Sequence, residues 1–303
     1  MLKKSWLQKS MLVTTSALAL VIGATATVTA LEAQDKQGKG KGVRDMTQHT
    51  SQVKPGLYFI QGAGGNSLLR VTPDGLILMD GKLPGNYEPL MDQIKAVSNQ
   101  PIKYLINTHH HEDHTGNNAK FLAAGVQIVA TEELKNQLQH YNPPGGKPAD
   151  PTITYKGTEY TLKLGGAEVD LYHFGRAHTG GDSVVYFPDL KVVALSDVIG
   201  PGAPGADFPG GGSLVEWGPV LASTLKLDWD VCIPGTGDAL KRADVETYKT
   251  KVDTLVSRAK ELVKNGTPKD QLMAQLKTDD LGWRLNLTGD RLDMFYDELS
   301  KSK

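Results

Sequence analysis

Four of the eight histidines in this 303-residue chain lie between residues 109 and 114, in the order H-x-H-x-D-H. Neutral imidazole and carboxylate are ligands that suit zinc, and alternate residues on an extended turn direct His109 and His111 at one ion. Asp113 and His114 then face a neighbouring ion. The spacing predicts a two-metal site, and the plain alternative is a histidine-rich surface tract that binds metal without catalysis.

The predicted strands and helices around this motif are those expected to position a metal site. An apolar strand pattern precedes it, a helical pattern follows it, and further strand patterns come in pairs with helical patterns between them. This rhythm is typical of mixed sheets covered by helices. Strands are expected at residues 57–61, 67–72, 76–80, 103–107, 126–130, 152–155, 160–164, 168–174, 183–187, 191–195 and 229–233, and helices at 88–97, 132–140 and 242–264.

The last of these helices carries an apolar stripe at alternating steps of three and four residues. Such a stripe is expected to pack on a sheet as part of the core rather than to bind a cofactor. Its members are Val245, Tyr248, Val252, Leu255, Ala259 and Leu262.

The motif at 109–114 resembles that of the metallo-beta-lactamase superfamily of zinc hydrolases, and other motifs agree with the family in the right order from about residue 53 to 237. The segments 56–60, 65–67 and 76–81 look like its opening strands, with its Asn and its strand-end Asp. The resemblance implies an α/β fold of the α+β type, a four-layer αββα sandwich of two mixed β-sheets flanked by helices. It also implies that His178 is the third ligand of the first zinc and that Asp197 is the bridging carboxylate.

One departure from the family concerns the fifth motif. The family usually has Pro-Gly-His-Gly there, and this chain has Thr236 in place of the histidine. A threonine offers no imidazole, so Asp113, His114 and Asp197 remain as candidates for the second metal. One zinc ion is therefore expected, with a second as the open alternative. Asp238 either is a substitute metal ligand or is an ordinary residue of the glycine turn. Thr236 is a candidate to hold a water for the metal.

The resemblance implies a zinc-dependent hydrolase that attacks an activated carbonyl with a metal-bound hydroxide. His109, His111 and His178 would leave an open fourth position on the zinc, which lowers the pKa of bound water to about 7. Asp113 is the expected catalytic residue, orienting the hydroxide and taking part in proton transfer. The motifs leave a beta-lactam, thioester, lactone or ester open as substrate. The alternative is a non-catalytic zinc- or ligand-binding member of the same fold.

Further candidates lie behind the ligands or near the substrate. Asp80 is expected either to fix the orientation of a ligand or to form an Asp-Gly turn. The Gly- and Pro-rich loop 200–213 is expected to form a wall or lid of the substrate site. Phe208 and Trp217 are candidate apolar contacts for the substrate, with ordinary packing as the alternative.

The first 30 residues have the pattern of a signal peptide, in which lysines 3, 4 and 9 flank the apolar run 11–23 and small residues follow. The run is too short for a comfortable membrane span, although an uncleaved anchor is the alternative. Export to the periplasm or secretion is expected, followed by a flexible leader at 31–52 and a hydrolase domain at 53–303. The C-terminal helices of that domain are expected from about residue 241.

Charge weighs against nucleic acid as a partner. Removal of residues 1–30 takes three lysines and no acid, so 33 basic against 34 acidic residues becomes 30 against 34, a formal charge of -4. A duplex-binding protein would show a basic face instead. A small-molecule substrate is expected, no membrane span is expected after cleavage, and the sequence leaves the oligomeric state open. Cys232 is the only cysteine, so no internal disulfide forms, and it is expected to be buried.

Overall fold

The computed structural model describes residues 46–302, and these form two β-sheets flanked by helices. The first sheet follows chain order from β1 to β7. Its first four strands pair antiparallel and its last four pair parallel. The strands are β1 (His49–Lys54), β2 (Leu57–Gln61), β3 (Ser67–Thr72), β4 (Gly75–Met79), β5 (Ile102–Ile106), β6 (Gln127–Thr131) and β7 (Ile153–Tyr155).

The second sheet has the order β13-β12-β11-β10-β9-β8 and is antiparallel except for the pair β11 and β12. Both sheets are therefore mixed, as expected. The strands are β8 (Glu159–Leu164), β9 (Ala167–Tyr172), β10 (Val184–Phe187), β11 (Val192–Ser196), β12 (Val231–Pro234) and β13 (Leu240–Lys241).

Helices cover the outer faces of both sheets. A cluster that includes Leu57, Val169 and Val185 fills the space between the sheets, because alternate residues of each strand point inward. Other buried apolar residues pack the sheets against the helices and complete the four layers. The helices are α1 (Tyr87–Val97), α2 (Glu112–Thr115), α3 (Asn118–Ala123), α4 (Glu132–Leu138), α5 (Leu214–Thr224), α6 (Arg242–Lys264), α7 (Lys269–Gln275) and α8 (Asp290–Lys301).

The N-terminal part of the domain differs from the expectation in one respect. Strand β1 begins at His49, inside the segment expected to be flexible leader, and pairs with β2. It lies at the edge of the sheet, and its side chains are exposed or half-buried. Backbone hydrogen bonds to β2 hold this strand, and its sequence has no hydrophobic pattern that would predict it. The expected signal peptide and the leader up to residue 45 lie outside the described residues. Between residues 46 and 302, no helix is long and apolar enough to cross a membrane.

Candidate metal centre

The candidate site forms where strands of both sheets end. Strands β4 and β5 are parallel, so the residues that follow them emerge at the same edge of the first sheet. Asp80 follows β4, and Thr108 and His109 follow β5. The backbone N–H of Thr108 donates to Oδ1 of Asp80 at 2.9 Å. Strands β11 and β12 are also parallel, and Asp197 follows β11 directly.

Three histidine nitrogens converge on one point. Nδ1 of His111 lies 3.1 Å from Nε2 of His109 and 3.0 Å from Nε2 of His178. Oδ2 of Asp197 lies 3.5 Å from Nε2 of His178 and 3.8 Å from Nε2 of His109. These four groups satisfy the geometry of a metal-binding cluster, which we call the first group.

The spacing of the three nitrogens suits zinc. Two nitrogens bound at about 2.0 to 2.1 Å to a tetrahedral ion lie about 3.4 Å apart. The observed separations of 3.0 and 3.1 Å are a few tenths of an ångström shorter. Three imidazoles and a carboxylate oxygen are also the donor types that zinc takes in proteins. The first group therefore fits a zinc ion in both geometry and chemistry.

Each of the three rings has a partner on its other nitrogen. Nδ1 of His109 lies 3.2 Å from Oγ1 of Thr108, Nε2 of His111 lies 2.9 Å from Oδ2 of Asp207, and Nδ1 of His178 lies 2.6 Å from the Gly205 carbonyl oxygen. A carboxylate or carbonyl partner retains a proton on the nitrogen facing it, so the lone pair of the opposite nitrogen points into the cluster. Asp207 was not predicted as a partner of His111, because the two residues lie 96 positions apart in the chain.

Asp113, His114 and Asp197 form a second group beside the first. Nε2 of His114 lies 3.6 Å from Oδ2 of Asp113 and 3.7 Å from Oδ1 of Asp197. Asp197 thus directs one carboxylate oxygen to each group, which is the geometry of a bridging carboxylate. The first group has four donors and the second has three.

His114 is held from behind by Asp80. The buried Asp80 carboxylate lies 2.8 Å from Nδ1 of His114 and accepts a 2.8 Å hydrogen bond from Oγ1 of Thr108. The opposite nitrogen, Nε2 of His114, is buried without a hydrogen-bond partner among the described residues. A buried polar atom without a partner is costly, and a cation between Asp113 and Asp197 would remove that cost.

The charges of the site explain its protonation. Burial would lower the pKa of His114, but the carboxylates of Asp80, Asp113 and Asp197 outweigh it and hold the pKa well above its usual value. For His109, burial and the neighbouring histidines together lower the pKa well below its usual value. The metal-free site thus holds a proton on His114 and keeps His109 neutral.

Asp197 stays ionised although it is largely buried. Burial opposes ionisation, yet His114 and the other imidazoles outweigh it and lower the pKa of Asp197. Gly235 lies against this carboxylate, because an added Cβ there would fall 1.7 Å from Oδ1 of Asp197. The turn after β12 therefore needs glycine for a close approach rather than for its backbone angles.

Thr236 lies at the position expected from the fifth motif. It lines a cavity together with His178 and Asp197, and its side chain offers no imidazole to either group of donors. Asn66 holds this turn, because its side-chain amide donates to the carbonyls of Pro234 and Gly237 at 2.9 and 3.0 Å. Asp238 is exposed, accepts a hydrogen bond from Gln61 at 3.1 Å and belongs to neither group, which favours turn chemistry over the ligand alternative.

The Gly-rich loop between β11 and α5 is tied to the site by its backbone. The N–H of Asp207 donates to the His178 carbonyl at 2.8 Å, and the N–H of Gly180 donates to the Gly210 carbonyl at 2.9 Å. Residues 199–203 and Gly205 line the cavity that holds Thr236. This segment therefore forms a wall beside the first group.

Two of the substrate candidates are wrong. Phe208 is 3% exposed and packs near Phe295, and Trp217 is fully buried and donates from Nε1 to the Val198 carbonyl at 2.9 Å. Both belong to the core between the second sheet and its helices, so neither offers surface to a substrate. The Gly- and Pro-rich loop predicted a wall of the substrate site, but both side chains point into the core.

Lys82 is a charged residue that sequence reasoning missed. It is fully buried, and its Nζ donates to the carbonyls of Ile60 and Gly65 at 2.7 Å each. Burial lowers its pKa to about 7, against the opposing charges of Asp80 and Asp113. Lys82 thus ties the end of β4 to the turn at 62–65, where Gly65 lies against the His114 ring.

The histidines outside the pattern have other environments. His49 and His140 are exposed, and Nδ1 of His173 lies 2.9 Å from the Asp182 carbonyl. Nε2 of His110 lies 3.4 Å from Asp207, so this ring shares the carboxylate that contacts His111. The carboxylate of Asp182 accepts the backbone N–H of Thr179 at 3.0 Å, which braces the turn after His178. Cys232 is buried and free, as expected.

Comparisons with known proteins agree with this arrangement. A sequence model described as the metallo-beta-lactamase superfamily matches residues 61–263. The alpha subunit of a 2,4-dinitroanisole O-demethylase from Nocardioides sp. (strain JS1661) is 31% identical over 147 residues, which are 48% of this chain and 44% of that protein. The metallo-beta-lactamase IND-1 of Chryseobacterium indologenes is 32% identical over 131 residues, covering 42% of this chain and 52% of that protein. The chain thus matches only about half the length of these relatives.

Solved structures show the same fold. A metallo-beta-lactamase from Pontibacter korlensis superposes with a TM-score of 0.61 at 19% identity, covering 68% of this chain and 99% of that one. The sec-alkylsulfatase Pisa1 from Pseudomonas sp. superposes with a TM-score of 0.63 at 17% identity, covering 82% of this chain and 47% of that one. These similarities confirm the four-layer sandwich.

Proposed function

This chain belongs to the metallo-beta-lactamase superfamily, and we propose that it is a zinc-dependent hydrolase of small molecules with an activated carbonyl. The observation that carries the proposal is the convergence of Nε2 of His109, Nδ1 of His111 and Nε2 of His178, each ring held by a partner on its opposite nitrogen. A tract that merely scavenges metal would not need this preorganisation.

His109, His111 and His178 would hold the zinc, and Asp197 would direct its second oxygen to a further ion. Zinc bound there would supply a Lewis acid and lower the pKa of a bound water to about 7. The second group has no fourth histidine, cysteine or carboxylate ligand among the described residues, and Thr236 has no imidazole. We therefore propose one tightly bound zinc, with weaker binding at Asp113, His114 and Asp197.

Asp113 is the proposed general base. Its side chain is 26% exposed, and its Oδ2 lies 3.6 Å from Nε2 of His114 at the edge of the cluster. It can therefore reach both the cluster and solvent, as a group that moves protons must. Asp80 orients His114 from behind, and Lys82 holds the turn that packs against the same ring.

The comparisons support several classes of substrate, and each has to be tested. The IND-1 relative supports a beta-lactam, and the O-demethylase relative adds an activated aryl ether to the thioester, lactone and ester already considered. We also propose that residues 1–30 direct export, on the basis of their sequence pattern. N-terminal sequencing of the protein recovered from the periplasm or medium tests the cleavage site.

The test of the proposed function combines metal analysis with turnover. Purified 31–303 protein is loaded with zinc and assayed with a chromogenic cephalosporin, a thioester, a lactone and 4-nitrophenyl acetate. We expect about one zinc per chain and turnover of at least one substrate. His111→Ala should lose both, and His49→Ala, which changes an exposed histidine, should keep both. Zinc binding without turnover of any of them would favour a non-catalytic binding protein.

A further inference from the structure

A cavity of 200 Å³ opens beside the first group of donors. His178 and Asp197 form one side, and residues 199–203 with Gly205 form the wall. Thr236 and Tyr248 also line it. Cavities that enclose drug-sized ligands measure roughly 300 to 1,000 Å³, so this cavity suits a small molecule or one substituent of a larger one.

Tyr248 reaches this cavity from α6, outside all of the metal motifs. The apolar stripe of that helix predicted a core position, but the ring is only half-buried. It packs edge-on against Trp283 at 5.2 Å between ring centroids, which fixes its direction. Among residues 46–302, no hydrogen-bond partner is found for its hydroxyl. Burial raises the pKa of this phenol, so the hydroxyl keeps its proton at neutral pH and can donate.

The remaining lining is largely uncharged. Backbone of the Gly-rich wall and the side chains of Ile199 and Ala203 supply apolar or neutral surface. Asp197 is the charged group of the lining other than histidine, and none of the described residues that line the cavity is a lysine or arginine.

We propose that Tyr248 donates a hydrogen bond to an oxygen of a small ester, lactone or lactam substrate that enters this cavity. The inference rests on the proposed hydrolase function for its substrate class. The hydroxyl of Thr236 is a second donor on the same wall. Tyr248 would then be a residue that contacts substrate without touching the metal.

The test measures turnover of 4-nitrophenyl acetate by the zinc-loaded wild-type protein and its variants. Tyr248→Phe should raise the KM for the acetate by about three- to tenfold, the loss expected for one hydrogen bond, with zinc content unchanged. Tyr296→Phe is the matched control, because that phenol donates to the Thr267 carbonyl and does not line the cavity.

Equilibrium binding separates this inference from the hydrolase proposal. The neutral lactam 2-pyrrolidinone is titrated into wild-type protein and followed by NMR at the amides of Gly202 and Gly205. Its dissociation constant should rise about three- to tenfold in Tyr248→Phe and stay unchanged in Tyr296→Phe.

The outcomes are distinct. If none of the substrates named under the proposed function is turned over but Tyr248→Phe weakens pyrrolidinone binding, the hydrolase proposal fails and the assignment of Tyr248 stands. If pyrrolidinone binds wild-type protein and Tyr248→Phe equally well, or if it does not bind, the assignment is overturned. A KM for 4-nitrophenyl acetate that is the same in wild-type protein and in Tyr248→Phe would also overturn it.

Discussion

Replacing Asp207 should weaken zinc binding although this residue lies outside the proposed ligand set. Its Oδ2 lies 2.9 Å from Nε2 of His111, and the exposed fractions of the two side chains are 19% and 22%, so solvent screens the contact only partly. A charged hydrogen bond is worth about 1.5 to 3 kcal/mol and a neutral one about 0.5 to 1.5 kcal/mol. Asp207→Asn keeps an acceptor and loses the charge, a difference of about 1 kcal/mol, or roughly fivefold in affinity.

Asp207→Ala removes the acceptor as well and frees the His111 ring to rotate. The expected loss of zinc affinity is then about 10- to 100-fold, the range for partners that orient a metal-binding histidine. Zinc affinity is measured by competition with a chromophoric chelator, and thermal unfolding of the metal-free protein checks that the loop is intact. Asp238→Asn is the control, because it removes an exposed carboxylate that contacts Gln61. Wild-type affinity in Asp207→Ala would refute the idea that this carboxylate orients His111.

Three further results are expected. Thr236→His should raise the zinc content from about one to two per chain by mass spectrometry, and a content that stays at one would show that this turn does not face the second group. Gly65→Ala should lower the free energy of unfolding by about 1 to 3 kcal/mol in chemical denaturation, because the added Cβ would fall 2.2 Å from the His114 ring. Gly202→Ala is the control and should change the free energy of unfolding by less than about 0.5 kcal/mol, because no heavy atom lies within 4 Å of its Cβ. The pKa of His114 is raised in the folded, metal-free protein. The protonated side chain therefore stabilises the fold fully below its unfolded pKa of about 6.5, and this stabilisation is lost as the pH rises through the folded pKa. Chemical denaturation of chelator-treated protein from pH 6 to 9 should show this loss in the wild type but not in His114→Gln. If the free energy of unfolding had the same slope against pH in both proteins, the prediction would be wrong.

The sequence predicted the parts of the fold that local patterns encode. Strands β2 and β3 and helix α6 have the expected bounds, because alternation and the apolar helical stripe are strong there. Strand β1 was missed because its side chains carry no alternating apolar pattern. Helix α5 was missed because Pro219 lies inside it and glycines precede it.

The candidate site also has residues that the sequence predicted and residues that it did not. The spacing at 109–114 and the resemblance predicted that His178 and Asp197 lie beside the histidine motif, and the structure brings them together with His109 and His111. Asp207, Lys82 and Tyr248 were not predicted as parts of the site, because each reaches it through contacts distant in sequence. A charged residue buried within a dense sheet, such as Lys82, has no local pattern that distinguishes it from a surface lysine.

We propose that three imidazoles from two loops hold one zinc ion. X-ray absorption spectroscopy of the singly loaded protein tests it most directly. We expect three imidazole nitrogens at about 2.0 to 2.1 Å, with one imidazole contribution lost in His178→Ala. A zinc spectrum with fewer than three imidazoles, or one unchanged in His178→Ala, would contradict the account.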